Sequence, residues 1–231
     1  MGAIAESRSD LKRKALLLAA TEVFLDKGYD GTSMDDVAAK AAVSKPTVYK
    51  YFSDKERLFA EIVSATTGQI DGLVRLVAET MANETGVEAS LTVLARRFID
   101  ALMQPQVLRL RRLVIANADR FPDVGRSWYE QGFERVLATL ASSFQSLADR
   151  KLMIGGNPLL AAHHFVGLLL WIPINKAMFT GNHHSTSDEL ERYAVAAVRA
   201  FLSGYGSSSK VVTKSPTLSR SRKKSRFKAQ K

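Results

Sequence analysis

The chain has 231 residues, of which 46% are hydrophobic, and a formal net charge of +10 at pH 7. This length allows one large or two modest domains, and the presence of only 14 glycines and 6 prolines favours a packed, mainly helical protein. Because the chain has no cysteine, disulfides and thiolate metal sites are excluded and a reducing compartment is favoured.

No segment of the sequence has the pattern of a targeting signal or a membrane span. The first ten residues lack the hydrophobic core of a secretion signal. The longest strongly apolar run, residues 165–174, is about half as long as the roughly 20 residues that a membrane-spanning helix needs. We therefore expect a soluble, cytoplasmic protein.

The positive charge is concentrated at the C-terminus. Residues 207–231 contain nine lysines and arginines and no acidic residue, so residues 1–206 have 24 basic residues against 23 acidic ones. The polar, basic composition predicts a disordered tail. DNA binding by the rest of the chain must therefore be argued from individual residues rather than from net charge.

The first two predicted helices are separated by a turn. One runs over residues 11–27 with apolar residues at helical spacing, and Gly28 occupies the position that ends it. Thr32 or Ser33 then caps a short helix over residues 34–41. A third short helix follows after a tight connection, which is a helix-turn-helix layout.

The third helix, over residues 44–52, has the features of a DNA-recognition helix. Ser44 is a candidate cap and Pro46 falls in the first turn, where no backbone N–H is needed. Val48 and Phe52 form a narrow inward stripe, which leaves polar side chains on the opposite side. Such a helix fits the major groove of DNA, which admits one α-helix.

A long fourth helix is predicted from residue 53 to about residue 83. Ser53 and Glu56 have the spacing of a capping box at its start. Gly68 and Gly72 lie inside it, and each weakens a helix by roughly 1 kcal/mol relative to alanine. They indicate either close packing against a neighbour or a softened point at which the helix bends.

Five more helices bring the all-α prediction to about nine. Asn157 caps one of them, and Thr186 with Glu189 forms a capping box at the start of the last. Pro173 is expected to kink the helix that contains it. The predicted ranges are 87–103, 107–121, 124–150, 159–179 and 191–203.

The last two helices carry more apolar surface than a single chain needs to cover. The helix over 159–179 is hydrophobic nearly all round, and the last one carries small alanines that allow close helix approach. We therefore expect a homodimer formed through the helices near 159–179 and 189–203.

Residues 11–60 resemble the N-terminal DNA-binding domain of the TetR (tetracycline-repressor) family of bacterial transcriptional regulators. The order and the spacing of the motifs agree over the whole range. The matching sequences are AATEVF (19–24), KGY (27–29), TSMDDVA (32–38), VSKPTVYKYF (43–52) and KERL (55–58).

The second half of the chain resembles the ligand-binding half of a subgroup with AefR-like C-terminal domains, through residues within 112–129, and this resemblance extends to about residue 205. The predicted organisation has four parts. They are a flexible N-terminus (1–10), a helix-turn-helix DNA-binding domain (11–60), a helical effector-binding and dimerisation domain (61–206) and the disordered basic tail (207–231).

The family resemblance implies which side chains touch double-stranded DNA. Hydroxyl groups and helix N-termini suit phosphate oxygens, and Lys45 and Lys50 can reach guanine O6 or N7. In the alternative interpretation Ser33 and Ser44 serve only as caps, and one of the two tyrosines belongs to the core. The implied DNA-contacting residues are Thr32, Ser33, Ser44, Lys45, Pro46, Thr47, Tyr49, Lys50, Tyr51 and Lys55.

The charge of the head also favours a dimer. Residues 1–60 contain ten lysines and arginines against nine acidic residues, so one head alone should bind DNA weakly. Two heads that bind half-sites about one helical turn apart, or a multiple of it, would supply the missing affinity.

The resemblance further implies a pocket for a small-molecule effector that alters the separation of the heads. We expect an apolar cavity among the helices over 87–103, 107–121, 124–150 and 159–179, although aromatic residues at helical spacing more often complete an ordinary core. The candidate ligand-binding residues are Phe98, Asn117, Trp128, Gln131, Phe133, His163, Trp171 and Asn175.

We expect neither enzymatic activity nor a cofactor or metal. The sequence has no nucleophile elbow, phosphate loop or dinucleotide fingerprint. His163 and His164 lie about 100° apart on one helix, so they cannot easily bind the same metal ion. The expected function is a dimeric repressor that a small hydrophobic ligand releases from its operator. The alternative is an activating or ligand-independent regulator whose basic tail tethers it nonspecifically to DNA.

Overall fold

The computed structural model describes residues 7–68, 70–82, 86–181 and 185–207, and within them it confirms the all-α fold class. The only β-type pairing in these ranges is an isolated bridge between Met153 and Gly206. The described helices are α1 (Arg8–Gly31), α2 (Met34–Lys40), α3 (Lys45–Tyr51), α4 (Lys55–Gly68), α5 (Ile70–Ala82), α6 (Val87–Leu102), α7 (Pro105–Ala116), α8 (Pro122–Ser127), a π-helical segment (Trp128–Glu134), α9 (Arg135–Asp149), α10 (Pro158–Thr180) and α11 (Ser187–Tyr205).

The N-terminal helix starts earlier than predicted. The Ser7 hydroxyl accepts a hydrogen bond from the backbone N–H of Asp10, and the Ser7 backbone N–H donates one to the Asp10 carboxylate, so this capping box starts α1 at Arg8. Residues 8–10, predicted to be flexible, are therefore its first turn, whereas residues 1–6 lie outside the described residues. Gly28 interrupts the helix with a φ of 72°, as its predicted stop position required, and a further helical turn follows to Gly31.

The start of α4 is capped by Asp54, so the predicted capping box of Ser53 and Glu56 is wrong. The Asp54 carboxylate accepts the backbone N–H of Arg57 at 2.7 Å, and Ser53 only donates its hydroxyl hydrogen to that carboxylate at 2.8 Å. A charged carboxylate is the stronger acceptor at a helix N-terminus, which also favours negative charge.

The predicted helix over 53–83 corresponds to α4, described up to Gly68, and α5, described from Ile70 to Ala82, and Gln69 lies outside the described residues. An added Cβ at Gly68 or Gly72 would meet no described atom within 4 Å. Close packing against described atoms therefore does not explain these glycines, and the predicted softened point stays a prediction.

The predicted helix over 124–150 is continuous in the structure, where it comprises α8, the π-helical segment and α9 with helical backbone at both joins. A Cβ added at Gly132 in the π-helical segment would lie 3.1 Å from Cδ1 of Ile70 on α5. This glycine therefore allows the two helices to approach closely. Within the described residues, the labels given to these two segments therefore do not contradict the predicted number of about nine helices.

The head (residues 1–60) and the helical body that follows it share one hydrophobic core. The predicted boundary at residue 60 therefore does not separate two independently packed cores. The head core contains Phe24, Val48 and Phe59, and it continues into α7 and α8 through buried residues such as Leu113 and Val124. A second core is formed mainly by α5, α6, α9, α10 and α11.

An aromatic cluster lies where the head meets the body. The ring of Phe121, just before α8, is 4.6 Å from that of Tyr29 and 6.0 Å from that of Phe59. The Arg120 guanidinium lies 4.9 Å from the Tyr29 ring centroid. Two ion pairs flank the cluster, Arg109–Asp26 at 2.6 Å and Arg120–Asp30 at 2.7 Å. We call these seven residues the head–body junction.

Helix α10 is capped by Asn157 as predicted, and it runs through Pro173 without a break. By length and composition alone it would suit a membrane span. One face packs against α9 and α11, while a second apolar face is exposed. The exposed large side chains of that face are Leu160, Leu168, Trp171, Ile172 and Phe179.

The cap of α4 can be tested directly. Asp54→Ala should lower the free energy of unfolding by about 1 kcal/mol, because the first turn of α4 loses its side-chain acceptor. Ser53→Ala is the matched control and should have a clearly smaller effect. Urea unfolding followed by circular dichroism measures both, and a larger loss for Ser53→Ala would contradict this assignment.

Candidate DNA-binding surface and ligand cavity

Helix α3 exposes one side and buries the other. Val48 is fully buried in the head core, and Phe52, directly after the helix, is buried beside it. Lys45, Tyr49 and Lys50 are consequently exposed. The helix thus combines an anchored face with a free polar face, as its sequence predicted.

The two lysines of α3 differ in their surroundings. The Lys45 ammonium pairs with Asp35 of α2 at 2.9 Å, and this hydrogen bond raises the pKa of Lys45. Lys50 has no hydrogen bond or ion pair within the described part of the chain. The ammonium group of Lys50 is therefore available to bind DNA, whereas that of Lys45 must first break its ion pair with Asp35.

The hydroxyl groups before α2 and α3 have local partners. Ser33 caps α2 in a capping box with Asp36. Ser44 makes no side-chain cap bond, so the alternative in which it serves only as a helix cap is wrong. Its hydroxyl instead lies 2.8 Å from that of Thr47. Pro46 is exposed in the first turn of α3. These groups remain at the surface.

Two of the proposed phosphate contacts face inward. Thr32 is only 3% exposed and donates its hydroxyl to the Gly28 carbonyl at 2.7 Å. The Lys55 ammonium donates to the carbonyls of Tyr29 at 2.9 Å and Thr32 at 3.0 Å, and it lies 4.4 Å from the Tyr29 ring centroid. These bonds use two of the three N–H groups of Lys55. The carbonyls of Tyr29 and Thr32 accept them because the turn after Gly28 leaves these carbonyls in need of hydrogen-bond donors.

Tyr51 is half-buried against the head core, and its hydroxyl lies 3.4 Å from that of Ser9 in α1. Tyr49 is the more exposed of the two tyrosines. The structure therefore agrees with the alternative in which one tyrosine turns partly inward.

The body contains a cavity of about 330 Å³ between α4, α5, α6, α7, the π-helical segment and α9. Of the eight candidate ligand residues, Phe98, Trp128 and Phe133 line it. Sequence reasoning missed the contribution of α4 and α5, which comes from Thr66, Thr67 and four residues between Ile70 and Leu76. The approach of α5 to α9 brings them there, and no local pattern reports that contact.

The other five candidates lie elsewhere. Asn117 and Asn175 are half-buried, and each donates its amide to a carbonyl of its own helical region, that of Leu113 or Trp171. Gln131, His163 and Trp171 are exposed. Each faces away from the cavity because of its helical position. The prediction that these five residues line the ligand cavity is therefore wrong.

Arg111 on α7 is the only charged residue among the described residues that line the cavity. It has no hydrogen bond or ion pair within the described ranges, and its burial lowers the pKa of the guanidinium. Arg111 was not among the candidate ligand-binding residues of the sequence analysis. The available signal was its i,i+4 spacing from Val107, which lines the same cavity.

Comparisons with known proteins agree with this architecture. Residues 16–62 match the family described as bacterial regulatory proteins of the tetR family, and residues 89–207 match the C-terminal domain of AefR-like transcriptional repressors. A crystal structure from Mesorhizobium loti, assigned to TetR-family transcriptional regulators, is 52% identical with a TM-score of 0.82. The match covers 87% of this chain and all of that one.

Two further relatives are more distant. The flavonoid-responsive regulator FrrA is 26% identical over 85% of this chain and 98% of its own, with a TM-score of 0.65. The transcriptional activator FasR of Mycolicibacterium smegmatis is 36% identical over 39% of this chain and 40% of its own length. The chain thus spans less than half of the curated relatives it matches first.

The carboxylate of Asp36 should make the stability of the head depend on pH. Hydrogen bonds from Lys27 and then from Ser33 lower the pKa of Asp36 to about 2. The stabilisation is complete above the unfolded pKa of about 3.9 and is lost as the pH falls through about 2. The difference in melting temperature between wild type and Asp36→Asn should therefore shrink from about pH 5 to about pH 2. Asp123→Asn, at a side chain that is 93% exposed, is the control, and an equal pH trend in both variants would contradict the role of Asp36.

Proposed function

Because the chain belongs to the TetR family of bacterial regulators, it is a DNA-binding transcriptional regulator rather than an enzyme, and we propose that it is a dimeric repressor released from its operator by a small hydrophobic ligand. The observation that carries this proposal is the exposed polar face of α3 on a head that shares its core with the helices lining a cavity. Membership of a family of DNA-binding regulators supports a cytoplasmic location.

The proposed DNA contacts fall into two groups. Lys45 and Lys50 on the exposed side of α3 contact base edges in the major groove, with Thr47 and Tyr49 beside them. Ser33, Ser44, Pro46 and Tyr51 contact the sugar–phosphate backbone. Thr32 and Lys55 act mainly by shaping the turn after α1, because their polar groups bond to that turn. The third N–H of Lys55 remains for a phosphate.

The proposed dimer interface is the exposed apolar face of α10. Trp171 is 71% exposed and Phe179 is 87% exposed, and large apolar side chains grouped on one exposed helix face are typical of an interaction site. A second copy that packs α10 and α11 against this face would bury it. The same face accounts for the membrane-like composition of α10 without a membrane.

We propose that α4 and α7 transmit the effect of ligand binding to the DNA-binding head. Helix α4 carries Phe59 in the head core and Thr67 in the cavity wall. Helix α7 carries Arg111 in the cavity wall and Arg109, which pairs with Asp26 of the head. A ligand that shifts either helix therefore shifts the head, and hence the spacing of two heads in a dimer.

Activation of transcription is the second candidate for the mode of regulation. Similarity to AefR-like repressors favours repression, whereas the relative FasR is an activator. An activating or ligand-independent regulator, tethered to DNA by its basic tail, thus remains the alternative. Except for Ser207, that tail lies outside the described residues.

Protection mapping on the DNA upstream of the protein's own gene, with and without hydrophobic effectors, tests the proposal. A symmetric footprint that an effector removes supports a ligand-released repressor. Trp128 lines the cavity and Trp171 does not, so a Trp171→Phe background lets tryptophan fluorescence report ligand binding in the same samples. A footprint unaffected by every effector that binds would favour the ligand-independent alternative.

Lys50→Ala should lose discrimination at one operator base pair, at a cost of about 1–3 kcal/mol in specific binding, and should change nonspecific affinity little. The matched control is Lys151→Ala, an exposed lysine after α9. Titrations against a set of operator variants measure both. A uniform loss across all sequences would instead assign Lys50 to a phosphate.

Trp171→Glu should convert the dimer to a monomer, because a carboxylate would enter the apolar face of α10. Sedimentation should show the mass halved, and operator affinity should fall with it. Ile115→Glu on α7, at a residue that is 60% exposed, is the matched control and should remain dimeric. A dimeric Trp171→Glu variant would place the interface elsewhere.

A further inference from the structure

We infer that the cavity binds an apolar carboxylate, whose oxygens pair with the Arg111 guanidinium while its hydrocarbon part fills the remaining space. This inference rests on the proposed function, because it names the chemical class of the effector. It differs from the sequence-based expectation of a merely hydrophobic ligand.

The position of Arg111 in the cavity wall calls for an anionic partner. A guanidinium stays protonated in proteins, and it is stabilised by hydrogen-bond acceptors that replace the water it loses. Within the described chain Arg111 has none of these acceptors. A carboxylate supplies two oxygens in the geometry that matches the fork of the guanidinium.

The neighbouring arginines on α7 show that this situation is particular to Arg111. Arg109 pairs with Asp26 of the head at 2.6 Å. Arg112 donates from a terminal nitrogen to the carbonyl of Ala177 at 2.7 Å, close to the C-terminus of α10, although its buried Nε has no partner among the described residues. Of these three arginines, only the one that faces the cavity has no partner among the described residues.

The rest of the wall selects the remainder of the ligand. Phe98, Trp128 and Phe133 offer aromatic surface, and no acidic side chain is among the described lining residues, so a cationic ligand would find no counter-charge. Thr66 and Thr67 already donate their hydroxyl hydrogens to carbonyls of α4. A cavity of about 330 Å³ lies at the lower end of the roughly 300–1,000 Å³ typical of small-molecule sites, which favours a compact acid.

Calorimetry of the full-length protein with matched probes tests the inference. The aliphatic pair is octanoate and octanamide, and the aromatic pair is naphthoate and naphthamide, so the two arms separate aliphatic from aromatic acids. Within the pair that fits, the wild type should bind the carboxylate roughly 10- to 100-fold more tightly than the amide. Equal affinities within both pairs, or no binding of any probe, would overturn the inference.

Variants assign the preference to one side chain. Arg111→Met should abolish the preference for the carboxylate, and Arg111→Lys should keep part of it. Arg97→Met, on an exposed arginine of α6, should keep all of it. Arg111→Gln serves where the methionine variant does not fold. A preference that persists in folded Arg111→Met or Arg111→Gln would overturn the assignment.

Operator binding separates this inference from the proposed function. A carboxylate that binds through Arg111 but leaves the operator complex intact would support the inference and contradict the release step. Tight binding of the neutral amides that releases the operator would overturn the inference and leave the proposed function standing.

Discussion

The structure depends on the head–body junction, where Phe121 of the body packs against Tyr29 and Phe59 of the head. Aromatic pairs of this kind contribute beyond their buried area and favour particular ring arrangements. Arg120 over the Tyr29 ring and its ion pair with Asp30 fix the orientation further. The direction in which α3 points is therefore set by helices that also line the cavity.

Features encoded by residues close in sequence were predictable. The caps at Ser33, Asn157 and Thr186 and the inward stripe of α3 all follow from spacings of a few residues. The cap of α4 was assigned one residue too early, since Ser53 and Asp54 compete for the same backbone N–H groups and charge decides between them. The resemblance of the head to a known family extended this local information to the fold.

Features that depend on distant contacts were not predictable. Lys55 bonds to carbonyls 26 and 23 residues away, and the cavity forms where α4 and α5 meet helices far along the chain. Arg111 was not predicted to line the cavity, because helical periodicity does not report which side of a helix faces a cavity. The same ignorance of packing led to polar candidates such as His163 and Asn175, which lie outside the cavity.

The ion pair between Lys45 and Asp35 has a consequence for the search along DNA. Every phosphate that approaches Lys45 competes with a carboxylate 2.9 Å away that belongs to the same head. Random duplex offers only another phosphate in exchange, whereas a guanine in the correct register offers two acceptors in a fixed geometry. With Lys45 at the proposed base contact, Asp35 would act as an intramolecular competitor for its ammonium group, which would weaken binding to incorrect sequences more than binding to the operator.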